Sequence, residues 1–219
     1  MDEMHDIGLI IIRFVIFLFS LTLHEFGHAW TSELFGDPTG RYEGRVSLNP
    51  LVHIDPLGTV IIPLVGAYFG IPIIGWAKPV PVNPLLWREK VKANIVVSAA
   101  GPLANILIAA VSAGLWKVLS YTSPQMLFND GSVTAIGVFL FSAITINVSL
   151  AVFNMIPIPP LDGSHIVSSV LSIISGTLAD IYDQLRPYGL ILLIILINFG
   201  PFNLVVGKIT AFIYTLLLF

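Results

Sequence analysis

The chain has 219 residues, 56% hydrophobic and only 11% charged, with a mean hydropathy of +0.91. That composition excludes an ordinary soluble domain and a disordered chain, and puts most of the polypeptide in a bilayer. A net charge of -3 leaves no basic footprint for nucleic acid, and the lack of cysteine removes disulfides and thiolate metal sites.

The chain opens on Met1-Asp2-Glu3-Met4-His5-Asp6, acidic where a cleaved signal would be basic. The first apolar run is therefore expected to be retained. Ile7 to about Trp30 is predicted to be the first spanning helix, with Arg13 as its one awkward charge, facing other helices or a water-filled cavity. Gly36–Gly40 is turn chemistry, and Arg41–Leu48 alternates in part and reads as a short strand or hairpin arm. Leu57–Ile74 is apolar but carries Pro63, Pro72 and internal glycines, so it reads as a re-entrant hairpin rather than a simple span. Gly75–Pro84 holds too many prolines for a helix and is expected to be extended.

Ala93 to about Leu119 and Ser132 to about Met155 are two further spans, joined by a loop from Ser120 to Gly131. The small residues from Ser98 to Ala104 allow a neighbouring helix to approach closely, and Asn105 needs a polar partner there. Leu161–Leu185 mixes polar and apolar residues and is expected at the interface or along the bundle. Pro187–Phe199 is apolar but short for a span, and Phe202–Phe219 is a final apolar segment interrupted by Lys208. The expected fold is an all-α polytopic membrane protein in one domain, residues 1–219. It comprises a three-helix core at 7–165, a re-entrant and short β insertion at about 37–92, and one or two transmembrane helices within 166–219.

The first span ends in His24-Glu25-Phe26-Gly27-His28. Residues four apart share one face of a helix, so the two imidazoles can aim at a single point, with Glu25 beside it as a base. That suits one zinc ion, which in catalytic sites takes a third protein ligand. On the residues alone Asp162, His165 and His53 all remain open for that position, with His5 and Asp55 less well placed. Asp162 also has an ordinary alternative as a helix N-cap. His53 and Asp55 fit a loop turn, or a lining of the site's mouth.

If Asp162 shares a metal with His24 and His28, the ends of the first and third spans lie on one side of the membrane. Residues 31–92 then start and finish on that side, so Leu57–Ile74 dips and returns. Arg41, Arg45, Lys78, Arg88, Lys90 and Lys92 fall in this region against Lys117 opposite. The expected site is near the cytoplasmic face of the cell membrane, with the N-terminus outside.

Together His24–His28, Ala100-Gly101-Pro102-Leu103-Ala104-Asn105 and Asn154-Met-Ile-Pro-Ile-Pro-Pro-Leu-Asp162-Gly163 resemble the site-2 protease family of intramembrane zinc metalloproteases, in its compact prokaryotic form. The resemblance implies Asp162 as the third zinc ligand, Glu25 as the catalytic base and Asn154 as a substrate-binding residue. Asn105 could line the site or bridge helices, and His53 and His165 stay as neighbouring or alternative ligands. The implied substrate is a transmembrane protein, unwound before attack and presented along the re-entrant stretch or the Arg41–Leu48 arm. Ser164 stands where many members carry a second glycine. A zinc-dependent transporter would spread polar residues over several depths, whereas here they cluster. A proteolytically inactive scaffold would have no need of Glu25.

Overall fold

The first apolar run and the His24–His28 motif lie on one unbroken helix, α1 (Asp2–Leu34), of 33 residues. The computed structural model describes the backbone of residues 2–69 and 76–218, and the side chains of 7–66 and 76–218. After α1 come the short helix α2 (Thr39–Tyr42) and a wide helical turn, Pro56–Ile61, that runs into α3 (Ile62–Phe69). The long helices α4 (Lys90–Thr122) and α5 (Ala135–Asn154) follow, then α6 (Asp162–Ile174), α7 (Gly176–Asp183), α8 (Gly189–Ile197) and α9 (Gly200–Leu218).

Four of these are long and apolar enough to cross a bilayer: Ile7–Leu34 of α1, α4, α5 and α9. At 1.5 Å per residue α8 rises only about 13 Å, well short of a hydrocarbon core about 30 Å thick. Among the described residues, the C-terminal region therefore supplies one helix that can span.

Helix directions follow from side-chain contacts. Asn105 of α4 donates to the Ser20 carbonyl, while His28, two turns further along α1, meets the Val97 carbonyl two turns back along α4. The two helices are antiparallel. Phe17 and Leu21 of α1 pack with Ile146 and Leu150 of α5, and Asp162, shortly after α5 ends, meets His24 and His28 near the end of α1, so α1 and α5 run the same way, as a shared metal requires. In lipid no hydrophobic force drives helices together, so close packing must do it. Ala109 and Ala113 supply a smooth face on α4 into which Ile144, Val148 and Val152 of α5 fit, with Ile213 and Tyr214 of α9 covering the far side. The hydrogen bond that the Asn105 side-chain amide donates to Asn147 Oδ1, 2.9 Å, adds a polar link of roughly 1 kcal/mol.

The insertion between α1 and α4 departs from expectation in one place. Arg41–Leu48 is not a strand. Its first residues finish α2, Gly44 at φ +67° turns the chain, Arg41 pairs with Glu33, and the Arg45 guanidinium donates to the Val52 carbonyl. Partial alternation over eight residues fits one helical turn as well as a strand, and no described residue offers it a ladder. The paired strands lie elsewhere, β1 (Phe128–Asn129) and β2 (Ser132–Val133), joined across Asp130-Gly131, both with positive φ. That Asp-Gly was a readable hairpin signal within the predicted loop.

Part of Leu57–Ile74 agrees. The chain is helical from Pro56 to Phe69, capped by Asp55, whose carboxylate accepts from the Leu57 and Gly58 amides at 3.0 and 2.7 Å; residues 70–75 lie outside the described residues. It is found again beside its own beginning. The Trp76 amide donates to the Gly58 carbonyl at 3.1 Å, the Thr59 hydroxyl to the Trp76 carbonyl at 2.8 Å, and the Lys78 amide to the His53 carbonyl at 2.9 Å. The described residues on either side of 70–75 therefore meet one another. From Trp76 to Asn83 the backbone is extended, as its prolines require.

Asp37 fixes the other end of that stretch. Its buried carboxylate accepts from the Asn83 amide at 2.7 Å, the Ser32 hydroxyl at 2.9 Å and the Thr39 amide at 3.0 Å, and Trp87 donates to the same Ser32 oxygen at 2.8 Å. Burial alone would raise the Asp37 carboxyl, but these donors outweigh it and hold its pKa below the usual range. Its contribution is thus complete above the unfolded pKa near 4 and is lost as pH falls through the lower folded value. Asp37→Asn is expected to cost about 1–3 kcal/mol at neutral pH. Thermal unfolding in detergent should show the deficit at pH 7 and its shrinkage below about pH 4; equal midpoints at pH 7 would exclude the clamp.

Candidate metal centre

One turn of α1 separates His24 from His28, and their rings meet edge to face with centroids 4.7 Å apart. Each ring is fixed from behind. His24 Nδ1 lies 2.6 Å from Asn105 Oδ1, and His28 Nδ1 lies 2.7 Å from the Val97 carbonyl. The Asn105 amide nitrogen is committed to the Ser20 carbonyl and Asn147 Oδ1, so its oxygen must face His24. Both acceptors demand a proton on Nδ1, which leaves each Nε2 as a bare lone pair.

Those lone pairs converge on a carboxylate. The Nε2 atoms are 3.1 Å apart, with Asp162 Oδ2 3.2 Å from His24 Nε2 and Oδ1 3.4 Å from His28 Nε2. Asp162 Oδ2 is buried, and despite its nearness to His24 it receives no hydrogen bond. Three acceptors thus face one another with no proton between them, an arrangement that a cation resolves. A tetrahedral zinc with bonds near 2.1 Å holds its ligands about 3.4 Å apart, close to the separations found here. The donor set, two imidazoles and a carboxylate with no thiolate, also suits zinc.

Asp162 is the first residue of α6, and its side chain makes no capping bond, so the N-cap alternative does not describe it. Pro157, Pro159 and Pro160 end α5 and let the chain turn back to bring it in. Gly101 on α4 forms the floor. A Cβ built there would lie 2.6 Å from His24 Nε2 and closer still to His28 Nε2, so any side chain would fill the space between the ligands. Gly27 does the matching service between helices, where a Cβ would meet the Ala100 carbonyl at 2.9 Å.

Glu25 shares with the cluster a cavity of about 290 Å³, lined by His24, His28, Val80, Asn154, Asp162 and His165 among others. Its Oε2 accepts from the Val80 amide at 3.0 Å, which sets the extended stretch over the cluster. Asn154 also faces this cavity while its amide nitrogen donates to the Leu150 carbonyl, leaving its oxygen uncommitted. Sequence reasoning gave no role to Gly101, although it stands in the run of small residues that was noticed, nor to the Val97 carbonyl just before that run. Val80 and Asn147 gave no local signal.

The remaining candidates separate. His165 lines the cavity but stands outside the three-residue cluster; burial, and then the Arg186 charge, push its pKa down, so it is held neutral. His53 is buried in the insertion, with Nε2 on the Ser47 carbonyl at 2.9 Å and Nδ1 unpartnered. Asp55 caps the turn that follows, accepting from the Leu57 and Gly58 amides. Asn105 does not line the cavity. It is fully buried behind His24, where its side chain ties three helices together. The side chain of His5 lies outside the described residues.

The sequence profile of "Peptidase family M50" matches residues 12–197. The chain is 34% identical over 182 residues to "Putative zinc metalloprotease YwhC" of Bacillus subtilis, covering 83% of this chain and 78% of that protein. "Putative zinc metalloprotease Rip2" of Mycolicibacterium smegmatis is 33% identical over 158 residues, 72% of this chain. Its Mycobacterium tuberculosis counterpart is 30% identical over 157 residues, 71% of this chain. The match covers 56% of each Rip2, little more than half its length. No solved structure matches.

Proposed function

The chain belongs to peptidase family M50, a multi-pass membrane zinc metallopeptidase, and we propose that His24, His28 and Asp162 hold its one zinc while Glu25 serves as the base. The observation that carries this is the donor-less convergence of two Nε2 lone pairs and a buried carboxylate. Bound there, zinc supplies Lewis acidity that brings the pKa of water towards neutrality and polarises a peptide carbonyl.

The protein's own groups do the rest. Asn105 and the Val97 carbonyl hold the imidazoles in the ligating tautomer. Glu25, one residue from a ligand and steadied by the Val80 amide, takes the proton of the attacking water and returns it to the leaving amine. Asn154 offers its carbonyl oxygen to a substrate amide in the same cavity. With no strand at Arg41–Leu48, the unwound substrate lies along Trp76–Asn83, where Val82 lines the cavity and its amide donates to no described group.

Metal analysis and cleavage of a membrane peptide test these assignments in one panel. Asp162→Ala should lose both zinc and cleavage, and His165→Ala should keep zinc. Val82→Pro should keep zinc and lower cleavage about tenfold or more. Retained zinc in Asp162→Ala would overturn the ligand set.

The orientation follows from charge. Six basic residues of the insertion and its flanks, Arg41, Arg45, Lys78, Arg88, Lys90 and Lys92, and also Arg186 after α7, stand against Lys117 at the other end. This favours a site near the cytoplasmic face. In intact cells a membrane-impermeant maleimide should label Lys117→Cys and should reach Lys90→Cys only after permeabilisation. The reverse pattern would invert the topology.

A further inference from the structure

A second groove runs between α1 and α5, about 390 Å³, lined by Arg13, Phe17, Thr145, Ile146, Ser149, Leu150 and Phe153. It lies apart from the zinc cavity but leads towards it. Leu150 and Phe17 pack with Leu21 and with Ala77, which begins the extended stretch over the site. Phe153 immediately precedes Asn154 of the catalytic cavity. Arg13 sits at the far end, thirteen residues before the midpoint of the His24–His28 pair, roughly 20 Å along the helix. Among the described residues Arg13 makes no ion pair.

A cation inside a spanning helix is costly unless a partner meets it. The groove adds the Ser149 hydroxyl, whose one described neighbour is the Tyr214 hydroxyl at a long 3.4 Å. An open, mixed apolar and polar channel with a positive end, whose Phe153 adjoins Asn154 of the neighbouring cavity, matches a transmembrane helix bearing a carboxylate. A lipid tail alone would leave the guanidinium unanswered. We infer that the α1–α5 groove seats the substrate helix and that Arg13 selects a Glu or Asp on it, on the order of 10–13 residues from the scissile bond. The lower count allows for a few extended residues beside Trp76–Asn83. This inference rests on the protease reading and adds the chemistry of its substrate.

Because the chain has no native cysteine, a single introduced one reports contact directly. The probe is a synthetic single-span Leu/Ala helix with one cysteine and either Glu or Gln at the predicted position. In the full chain carrying Glu25→Gln, Ser149→Cys should form disulfide crosslinks with the Glu helix several-fold above the Gln helix. Leu107→Cys, 65% exposed on the outer face of α4, should give neither. With Glu25 intact, the Glu helix should be cleaved about tenfold faster than the Gln helix, the size of one partly desolvated ion pair. Arg13→Met should bring that ratio to near one, and Arg13→Glu should favour a Lys helix.

An unchanged ratio in Arg13→Met, or equal crosslinking at Ser149→Cys and Leu107→Cys, overturns the inference. So does an Arg13→Met effect that is the same for both helices and occurs only in anionic-lipid vesicles, which would assign Arg13 to a lipid phosphate. Selective crosslinking without any cleavage by the Glu25 chain would sink the protease reading and leave the groove standing.

Discussion

Glu25→Gln is expected to retain one zinc per chain while cleavage of a membrane peptide falls by at least about a thousandfold. The substitution is isosteric and removes only the proton acceptor. Glu25 is not among the three converging ligand atoms, so metal affinity should be untouched. The Val80 amide that now donates to Oε2 can still donate to the amide oxygen of Gln, so the extended stretch should keep its place. Loss of rate without loss of metal is therefore the signature of a base. A transporter would be indifferent to this change, and an inactive scaffold would have no rate to lose. Paired zinc analysis and cleavage assays decide among them, and normal cleavage by Glu25→Gln would refute the mechanism.

Gly101→Ala should be nearly as damaging through one methyl group. In a helix interior, alanine in place of glycine ordinarily stabilises by roughly 0.5–1 kcal/mol. Gly114→Ala, on the same α4 with nothing within 4 Å of the new Cβ, should behave that way. At Gly101 the methyl would occupy the space between the two Nε2 atoms, and the backbones of α1 and α4 are too close at Gly27 to separate cheaply. The imidazoles must swing out, breaking their bonds to Asn105 and the Val97 carbonyl. Zinc affinity should drop at least tenfold to a hundredfold, with cleavage lost and helical content unchanged. Full zinc occupancy in Gly101→Ala would mean that the metal lies elsewhere.

The spans were legible because long apolar runs have few alternatives, and α1, α4 and α5 fall within a few residues of expectation. The His24–His28 pair was legible because its geometry is local to one helix. The third ligand was not. On the residues alone it stayed open among Asp162, His165 and His53, since only folding brings the start of α6 against α1. The Arg41–Leu48 strand failed for the opposite reason: over eight residues a helical turn with glycine beyond it mimics alternation. Asn105 was recognised as polar and in need of a partner, but its partner, His24, is 81 positions away.

The stretch that crosses the zinc cavity is fastened at both ends, by Asp37 at Asn83 and by Gly58, Thr59 and His53 at Trp76 and Lys78. It is a strap rather than a flap: neither end is free to swing, and between them the Val80 amide is held on Glu25. On the proposed protease reading, a substrate would have to come in alongside it rather than under a lifting lid. Such an approach would suit one slender, unfolded chain at a time and would turn away folded domains by girth alone, whatever their sequence.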